Sequence, residues 1–411
     1  MLMAASGQSP SVRSPDDAPL WQFVPLSDFE VPSKPVLQSA RGRLDALYEL
    51  VRLRPRVQEK PVKTEDELGH ISEAELQRLV PEPDWKEAAS ALDGLLRSGD
   101  RERSSATMTL VVGPPCGGMR EILNAFASLR SVPVVEPPSR FGVLEKDETW
   151  LHQLRKQKPR WVFPALEATF VRHPAGLWLA RQLLGEARNG SFGHVVIGCD
   201  SWSWELISRF TRGLVGHVHV LQAFGPEEFS VLFRRLAESG RRRRPRFRQS
   251  DNGNDILPSP EGEEGGSEKS GYLQQLAGRS RGNIGIARVL WKTGMQVEPE
   301  EGSQQDDEKG SALHRTIWVR PLDKLSLPSV PSSAEIDVTL VLHGLLVHNG
   351  ISTELLAEAL PLSLQKVAGL LYWLGDEGLA VDEGGRWRVS PLGYPAVRSH
   401  LQTRGFLVDQ C

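Results

Sequence analysis

The chain has 411 residues, of which 39% are hydrophobic, and its formal net charge at pH 7 is −3. A chain of this length holds two or three domains and can bury a substantial core. The small net charge excludes a molecule whose overall field draws it to nucleic acid, and no apolar run reaches the length of a membrane span.

The first residues lack the order of charged and then apolar residues that marks a signal peptide. The three cysteines, Cys116, Cys199 and Cys411, are far apart and odd in number. This usage indicates a reducing compartment and predicts neither a zinc site nor a disulfide framework. We therefore expect a cytoplasmic protein without a metal centre.

The first part of the chain divides into a polar segment and a helical region. Residues 1–37 are rich in Pro and Ser, which predicts disorder apart from "LWQFVPL" (20–26), a segment expected to dock against the body. Residues 38–107 form a predicted helical region with amphipathic stretches at 39–54 and 84–99, the second ending at Gly99.

Apolar strand candidates alternate with helical stretches over residues 108–224. Such alternation is typical of a parallel α/β sheet. The five predicted strands are 109–112, 132–136, 160–166, 194–200 and 217–223.

Residues 225–297 predict a helical lid beside this sheet. One helix begins at Pro226, and another covers 282–294. The polar, Gly-rich stretch 241–271 inside the lid predicts a flexible insert, and 298–334 predicts a linker.

The last region, residues 335–411, predicts three helices and a two-stranded hairpin. The first predicted helix covers residues 335–347, and the other two have the sequences "STELLAEAL" and "SLQKVAGLLYWLGDEG". The hairpin turns on Gly384 and Gly385. Three helices followed by such a wing predict a winged helix. We expect Leu364, Val367, Leu371 and Leu374 to form the buried stripe of its third helix.

The segment "VVGPPCGGMREIL" (111–123) predicts a strand, a Gly-rich loop and a helix N-terminus. Gly113 and Gly118 have the spacing of the phosphate-binding P-loop, G-x-x-x-x-G-K-[ST]. Met119 and Arg120 stand where that motif has Lys and Ser or Thr.

Taken together, the P-loop sheet, helical lid and winged helix resemble the AAA+ and STAND classes of P-loop ATPases, especially the origin-recognition-type arrangement. The resemblance covers residues 80–395 and implies an α/β fold with a five-stranded parallel P-loop sheet, a helical lid and a C-terminal winged-helix domain. It also implies a nucleotide, ATP or ADP, held between sheet and lid by Walker A, Walker B, sensor 1 and sensor 2 elements.

Walker A corresponds to Gly113, Gly117, Gly118, Met119 and Arg120. The loop amides can still bind an anion, but Met119 removes the phosphate cation and Arg120 removes the hydroxyl that ligates Mg²⁺. Nucleotide binding without a firm Mg²⁺ dependence and a turn that binds nothing are the two alternatives.

Walker B matches "WVFPALE", with Glu167 at the catalytic-base position and Leu166 in place of the metal-binding Asp. In this alignment Ser201 occupies the sensor 1 position after the next strand. The alternatives place Asp200 in the Walker B role or leave Glu167 as a charge at a helix start.

The sensor 2 arginine of the family corresponds to Gly285 in this sequence. Arg279, Arg281 and Arg288 are the candidate substitutes, and surface arginines around a helix start are the alternative.

Two features bear on nucleic acid and partners. For the Arg-rich tract 241–248 the alternatives are contacts with phosphates of nucleic acid or a membrane surface and a solvated insert, and the acidic residues that follow at once favour the insert. The winged helix is acidic, which favours protein over DNA contacts, and Tyr372 and Trp373 are predicted partner-binding residues on its third helix. Trp202 and Trp204 predict interdomain packing or a stacking surface.

The absence of four groups, the Lys, the hydroxyl, the metal Asp and the sensor Arg, predicts a protein that does not hydrolyse ATP. The sequence therefore predicts a regulatory or scaffolding component that acts through a protein partner or a homo-oligomer. An ATP-binding switch and a DNA-binding regulator are the alternatives.

Overall fold

The computed structural model describes residues 19–32, 62–102, 107–157, 159–213, 215–239, 245–257, 270–299 and 316–411. The predicted helix at 39–54 lies outside these residues. The described chain is an α/β fold with a mostly parallel central sheet and many helices.

The central sheet has five strands, as predicted, but one of them is antiparallel. In spatial order the strands are β1 Phe23–Pro25, β6 Val218–Leu221, β3 Met108–Gly113, β5 Val195–Asp200 and β4 Val162–Phe163. Strands β6, β3, β5 and β4 are parallel, and β1 pairs with β6 in the opposite direction. The docking segment thus supplies the fifth strand. The predicted strand 132–136 contributes only a single bridge between Val134 and Val162.

A second, four-stranded sheet was not predicted. Its strands in spatial order are β2 Gly69–His70, β8 Met295–Val297, β9 Thr316–Val319 and β7 Arg246–Gln249. Two predictions need correction here. Strand β7 lies in the predicted flexible insert 241–271, and β9 lies in the predicted linker 298–334. The apolar side chains of these two strands, such as Phe247, are buried, which explains why β7 and β9 form.

Ten helices precede the last region in the described residues. They are α1 Glu73–Leu79, α2 Lys86–Glu102, α3 Met119–Arg130, α4 Arg140–Glu145, α5 Thr149–Lys156, α6 Trp178–Arg188, α7 Ser201–Phe210, α8 Pro226–Glu238, α9 Gly271–Ser280 and α10 Ile284–Gly294. Helix α2 continues past Gly99, so the predicted stop there is wrong. Within the described ranges, no helix is long and apolar enough to cross a membrane.

The last region contains the predicted three helices and hairpin, followed by a fourth helix. These elements are α11 Ile336–His348, α12 Thr353–Ala359, α13 Leu364–Asp376, β10 Ala380–Asp382, β11 Trp387–Val389 and α14 Tyr394–Thr403. Gly384 and Gly385 make the turn with φ of 64° and 82°, values that favour glycine.

The buried stripe of α13 is shorter than predicted. Val367, Leu371 and Leu374 are fully buried, whereas Leu364 is 50% exposed at the first turn of the helix. Of the two predicted partner-binding residues, Tyr372 is 69% exposed, whereas Trp373 is half-buried against the core.

The hydrophobic core forms two clusters. One joins the face of the sheet that carries Val111 to α2, α3, the lid helices and α11. The other joins the face that carries Leu110 and Val112 to α6 and α7. Because strand side chains alternate between faces, a strand that is apolar at every position must be covered on both sides. This burial fixes the carboxyl ends of β3 and β5, where the predicted site residues lie.

Candidate functional site

The glycine loop connects β3 to α3 as predicted. Gly117 N–H donates to the carbonyl oxygen of Pro114 at 3.0 Å, which closes a turn, and Gly118 precedes the helix with φ of 80°. Since α3 begins at Met119 and its N-cap has no side chain, the first amides of the helix are not capped by a side chain. The loop thus presents a helix N-terminus of the kind that binds anions.

Two large side chains lie against the glycines of this loop. A Cβ on Gly113 would come within 2.8 Å of the Cε atom of Met119, so the Met119 side chain folds back over the end of β3. A Cβ on Gly118 would come within 2.2 Å of the Trp85 ring. Only glycine leaves room for these contacts. The residue in the lysine position therefore packs on the strand and carries no charge.

The start of α10 closes on the tip of the loop. Asn283 Nδ2 donates to the carbonyl oxygen of Pro115 at 2.7 Å. A Cβ on Gly285 would come within 2.1 Å of the carbonyl oxygen of Cys116. No arginine side chain fits at Gly285 while the loop and α10 hold this arrangement.

A cavity of about 370 Å³ lies beside the loop, and we call it the loop cavity. Its wall combines the loop with α10, the ends of β4 and β5, and the β10–β11 hairpin. The residues that line the loop cavity include a loop glycine, the start of α3 and charged side chains: Gly118, Met119, Arg120, Glu167, Asp200, Glu82, Arg288, Glu383 and Arg388.

Two buried carboxyl groups face this cavity. The Glu167 side chain accepts a hydrogen bond from Asp200 N–H at 3.2 Å, and Asp200 caps α7 by accepting from Trp202 N–H at 2.9 Å. Burial raises the pKa of Glu167 and raises the pKa of Asp200 well above its ordinary value, and the like charge of Glu167 raises the pKa of Asp200 further. Strand β5 separates β3 from β4, so Glu167 reaches the loop cavity from one strand further away than Asp200.

Arginine side chains supply the positive charge at the cavity wall. Arg288 forms a bidentate ion pair with Glu82, at 2.6 and 2.9 Å, and its side chain is 8% exposed. Arg388 pairs with Glu383 at 3.4 Å. Arg120 is exposed at the first turn of α3. Two of the three cations are thus neutralised by neighbouring carboxylates.

The other predicted site residues lie elsewhere. Arg279 donates to the carbonyl oxygen of Leu322 and does not line the loop cavity. Its position therefore does not support its predicted role at the nucleotide. Arg281 lines a smaller cavity on the other side of the loop. Ser201 is 3% exposed, and its hydroxyl donates to Asp409 at 2.5 Å.

The sequence analysis missed Arg140, which joins the sheet to the last region. Its guanidinium donates to the carbonyl oxygens of Glu167 at 3.0 Å, of His348 at 2.5 Å and of Gly350. Burial lowers the pKa of Arg140 to about 10, whereas the Glu167 carboxylate opposes this shift. Its partners at 348 and 350 are about two hundred residues away along the chain, and a single arginine before an amphipathic helix gives no local signal for such contacts.

Trp202 is a packing residue, as one of its two interpretations expected. Its ring is 1% exposed, and its indole N–H donates to the Tyr394 hydroxyl at 3.1 Å. Trp204 is also buried. These aromatics connect the sheet to the last region and offer no surface for stacking.

No cluster of three His, Cys, Asp or Glu side chains that could hold a metal ion occurs in the part of the chain that the structure describes. Of the carboxyl groups in the described wall of the loop cavity, those of Glu167 and Asp200 are the buried ones.

No protein-family model matches the chain, and no curated protein matches it. The Thermotoga maritima RuvB Holliday junction branch migration motor aligns at 14% identity over 78% of this chain and 95% of its own, with a TM-score of 0.34. The Walker-type ATPase of Pyrococcus abyssi aligns at 13% identity over 77% and 95%, and C. elegans PCH-2 at 11% over 66% and 90%, both with a TM-score of 0.29. These similarities assign no role to any residue, and the candidate site rests on the chain's own geometry.

Proposed function

We propose that this chain is an AAA+/STAND-like P-loop protein that does not hydrolyse ATP and acts as a regulatory or scaffolding component through protein contacts. The observation that carries the proposal is the position of Met119. An apolar side chain folded over Gly113 supplies no charge to the β- and γ-phosphates, which the lysine of a working P-loop neutralises.

The groups that would hold Mg²⁺ also support this proposal. Arg120 has no hydroxyl to ligate a metal, and Leu166, at the position of the Walker B aspartate, is fully buried in the core. Glu167 alone would have to position water, and its raised pKa opposes the charged form that polarises water best. We infer a site without the parts for phosphoryl transfer.

A second candidate function is the binding of ATP or ADP as a conformational switch. The loop cavity of about 370 Å³ and the uncapped start of α3 favour it, because backbone amides and a helix N-terminus bind phosphate without a lysine. Arg120 and Arg288 are the cations nearest to such a ligand. Binding through these groups needs no Mg²⁺.

We further propose that residues 335–411 form a winged helix that contacts protein rather than DNA. The β10–β11 hairpin turns its wing toward the loop cavity, where Arg388 is paired with Glu383. Lys366 is paired with Asp337. Cations that are already paired with carboxylates, as Arg388 and Lys366 are, are poorly placed to contact a phosphate backbone.

The exposed Tyr372 is the proposed partner contact on this surface. Its ring meets Trp387 edge to face at a centroid distance of 5.7 Å, which holds it in place while 69% of the residue stays exposed. Held aromatic side chains are typical of protein hot spots. Sedimentation velocity of the wild type and of Tyr372→Ala tests this contact, and exposed Gln365→Ala is the matched control. The contact would be contradicted if the wild type and Tyr372→Ala had the same sedimentation coefficient, both alone and in the presence of a partner protein.

Calorimetric titration with ATP and ADP, with and without Mg²⁺, separates the proposed functions. Nucleotide binding that is independent of Mg²⁺ supports the conformational switch. Absence of nucleotide binding supports the scaffolding component that acts through protein contacts alone. Affinity that rises at least about tenfold with Mg²⁺ would contradict both, because it requires the metal site that Leu166 and Arg120 deny.

A further inference from the structure

Residues 406–411, which we call the strap, pass beside the glycine loop after helix α14. Asp409 fixes the strap to the sheet, because its carboxylate accepts from Ser201 Oγ at 2.5 Å and from Arg398 Nε at 3.1 Å. The guanidinium of Arg398 also donates to the Asp409 carbonyl oxygen at 2.8 Å. The Asp409 carboxylate is completely buried in this ion pair.

The end of the strap closes a second cavity on the far side of the loop. This side cavity has a volume of about 30 Å³ and is lined by Gly113, Gly117, Met119, Asn283, Arg281 and Cys411, among others. Cys411 is 4% exposed, and its carbonyl oxygen accepts from Arg281 at 3.3 Å. The side cavity thus lies between the loop, the start of α10 and the strap.

The side cavity is too small for a ring in its closed form. A cavity of about 150 Å³ accepts benzene, whereas one of about 30 Å³ holds little more than water. Its wall is mainly apolar and touches the same glycines that line the loop cavity. A planar ring bound on this side of the loop, rather than in the loop cavity, would need the space that Cys411 fills.

The strap leaves helix α14 at Gly405, and several contacts hold it from there. Gly405 has φ of 73°, and its N–H donates to the carbonyl oxygen of Gln402 at 3.1 Å. Within the strap, Asp409 and Cys411 are buried, whereas the four residues between and before them are exposed or half-buried. The strap is also attached by the Leu407 carbonyl oxygen, which accepts from His343 Nε2 at 3.2 Å, and by Arg281, which donates to the carbonyl oxygens of Gln410 and Cys411.

We propose that the strap is an autoinhibitory plug, which excludes the ring of an adenine nucleotide from the side cavity and is held shut by the Ser201–Asp409–Arg398 contacts. The proposal rests on the proposed switch function, because it assumes that the loop binds the phosphates. The ligand then competes with the strap, and its apparent affinity is reduced by the fraction of molecules in which the strap is closed.

The test uses the full chain and the variant Asp409→Asn, which keeps the shape of the side chain and removes the charge that Arg398 holds. The exposed Asp376→Asn is the matched control. Strap opening is measured by the alkylation rate of Cys411, identified by mass spectrometry of the peptide that follows Arg404. Binding is measured with fluorescent ribose-labelled ADP and, separately, with inorganic pyrophosphate, which contacts the loop and needs no ring site.

For Asp409→Asn we expect Cys411 alkylation and ADP affinity both to rise by at least about tenfold, with pyrophosphate affinity unchanged. Faster alkylation without tighter ADP binding overturns the plug, while pyrophosphate binding by the same protein leaves the loop proposal standing. Failure of both ligands to bind any variant overturns the switch and the plug together.

The variant Cys411→Ala keeps the test decisive if Asp409→Asn does not fold. It enlarges the side cavity without touching the ion pair at Asp409. We expect ADP affinity to rise by about two- to fivefold and pyrophosphate affinity to stay constant. An ADP affinity equal to that of the wild type overturns the proposal.

Discussion

Gly285 packs against the carbonyl oxygen of Cys116 so closely that a Cβ at this position would come within 2.1 Å of that oxygen. The contact joins the start of α10 to the tip of the glycine loop, and Asn283 reinforces it by donating to the carbonyl oxygen of Pro115 at 2.7 Å. The resemblance to P-loop ATPases implies that Gly285 corresponds to the sensor 2 position, where those proteins have an arginine that contacts the nucleotide. In this chain a contact between two backbone segments occupies that position.

We predict that Gly285→Arg destabilises the protein and does not improve nucleotide binding. The new side chain must displace the loop, and overpacking of this kind costs about 1–3 kcal/mol. Thermal unfolding and ATP titration measure both effects. Gly369→Arg is the control, because a Cβ at Gly369 on α13 meets no atom within 4 Å. A Gly285→Arg protein with unchanged stability and tighter ATP binding would show that the position is open.

The double change Met119→Lys with Arg120→Thr is expected to strengthen ATP binding. Lysine restores a cation for the phosphates and threonine restores the metal ligand, while the loop glycines stay in place. We expect the dissociation constant in the presence of Mg²⁺ to fall by at least about tenfold, or about 1.4 kcal/mol, in calorimetric titration. The control is Met119→Leu with Arg120→Ala. Equal affinities for the two double variants would mean that the loop no longer has a phosphate-binding shape.

The strand inside the predicted flexible insert leads to a prediction about stability. Phe247 is 1% exposed and lies 4.9 Å from the Trp291 ring, measured between centroids. We expect Phe247→Ala to lower the free energy of unfolding by about 3–5 kcal/mol in denaturant titration. Substitution of its exposed neighbour, Arg246→Ala, is expected to change the free energy of unfolding by less than about 0.5 kcal/mol. Similar losses for both variants would contradict the buried position of β7.

Two buried histidines predict a loss of stability in mild acid. His348 Nε2 accepts from Arg172 N–H at 3.0 Å, and His343 Nδ1 accepts from the Arg172 guanidinium at 3.1 Å, so both rings are held neutral. Burial lowers the pKa of His348 from 6.5 to about 3 and that of His343 to about 4. Because the folded pKa values lie below the unfolded value, their contribution is complete above pH 6.5 and is lost as the pH falls from there.

The expected slope is about 1.4 kcal/mol per pH unit for each histidine between pH 6 and the lower pKa values. Glu167, Asp200 and Asp409 have raised pKa values and act in the opposite direction, so a variant comparison is needed. The double change His343→Gln with His348→Gln should flatten the decline in unfolding free energy between pH 6.5 and 4.5. The exposed His152→Gln should not. An equally steep decline in the double variant would assign the acid sensitivity to other groups.

Local sequence signals were sufficient for the loop and for most helices. The spacing of Gly113 and Gly118 between an apolar strand and a periodic helix requires only neighbouring residues, and the structure places a loop there. The hairpin at Gly384 and Gly385 is equally local. Such features follow from backbone conformation and periodicity, which a short window of sequence contains.

Contacts between distant segments could not be predicted in this way. The second sheet assembles strands as far apart as Gly69–His70 and Thr316–Val319, each too short to show alternation. Two hydrogen-bond partners of Arg140, and the Asp409 partner of Ser201, lie more than two hundred residues away along the chain. A sequence pattern shows that these side chains exist but does not show which distant group they meet, since tertiary packing decides that.

Turnover of ATP by the purified chain tests the central claim most directly, because hydrolysis needs the phosphate cation and the metal ligand that Met119 and Leu166 replace. Phosphate release should be measured in the presence of Mg²⁺ for the wild type and for Glu167→Gln, the side chain at the catalytic-base position. We predict no release above a control without protein and no difference between the two. Release by the wild type that disappears in Glu167→Gln would contradict the account.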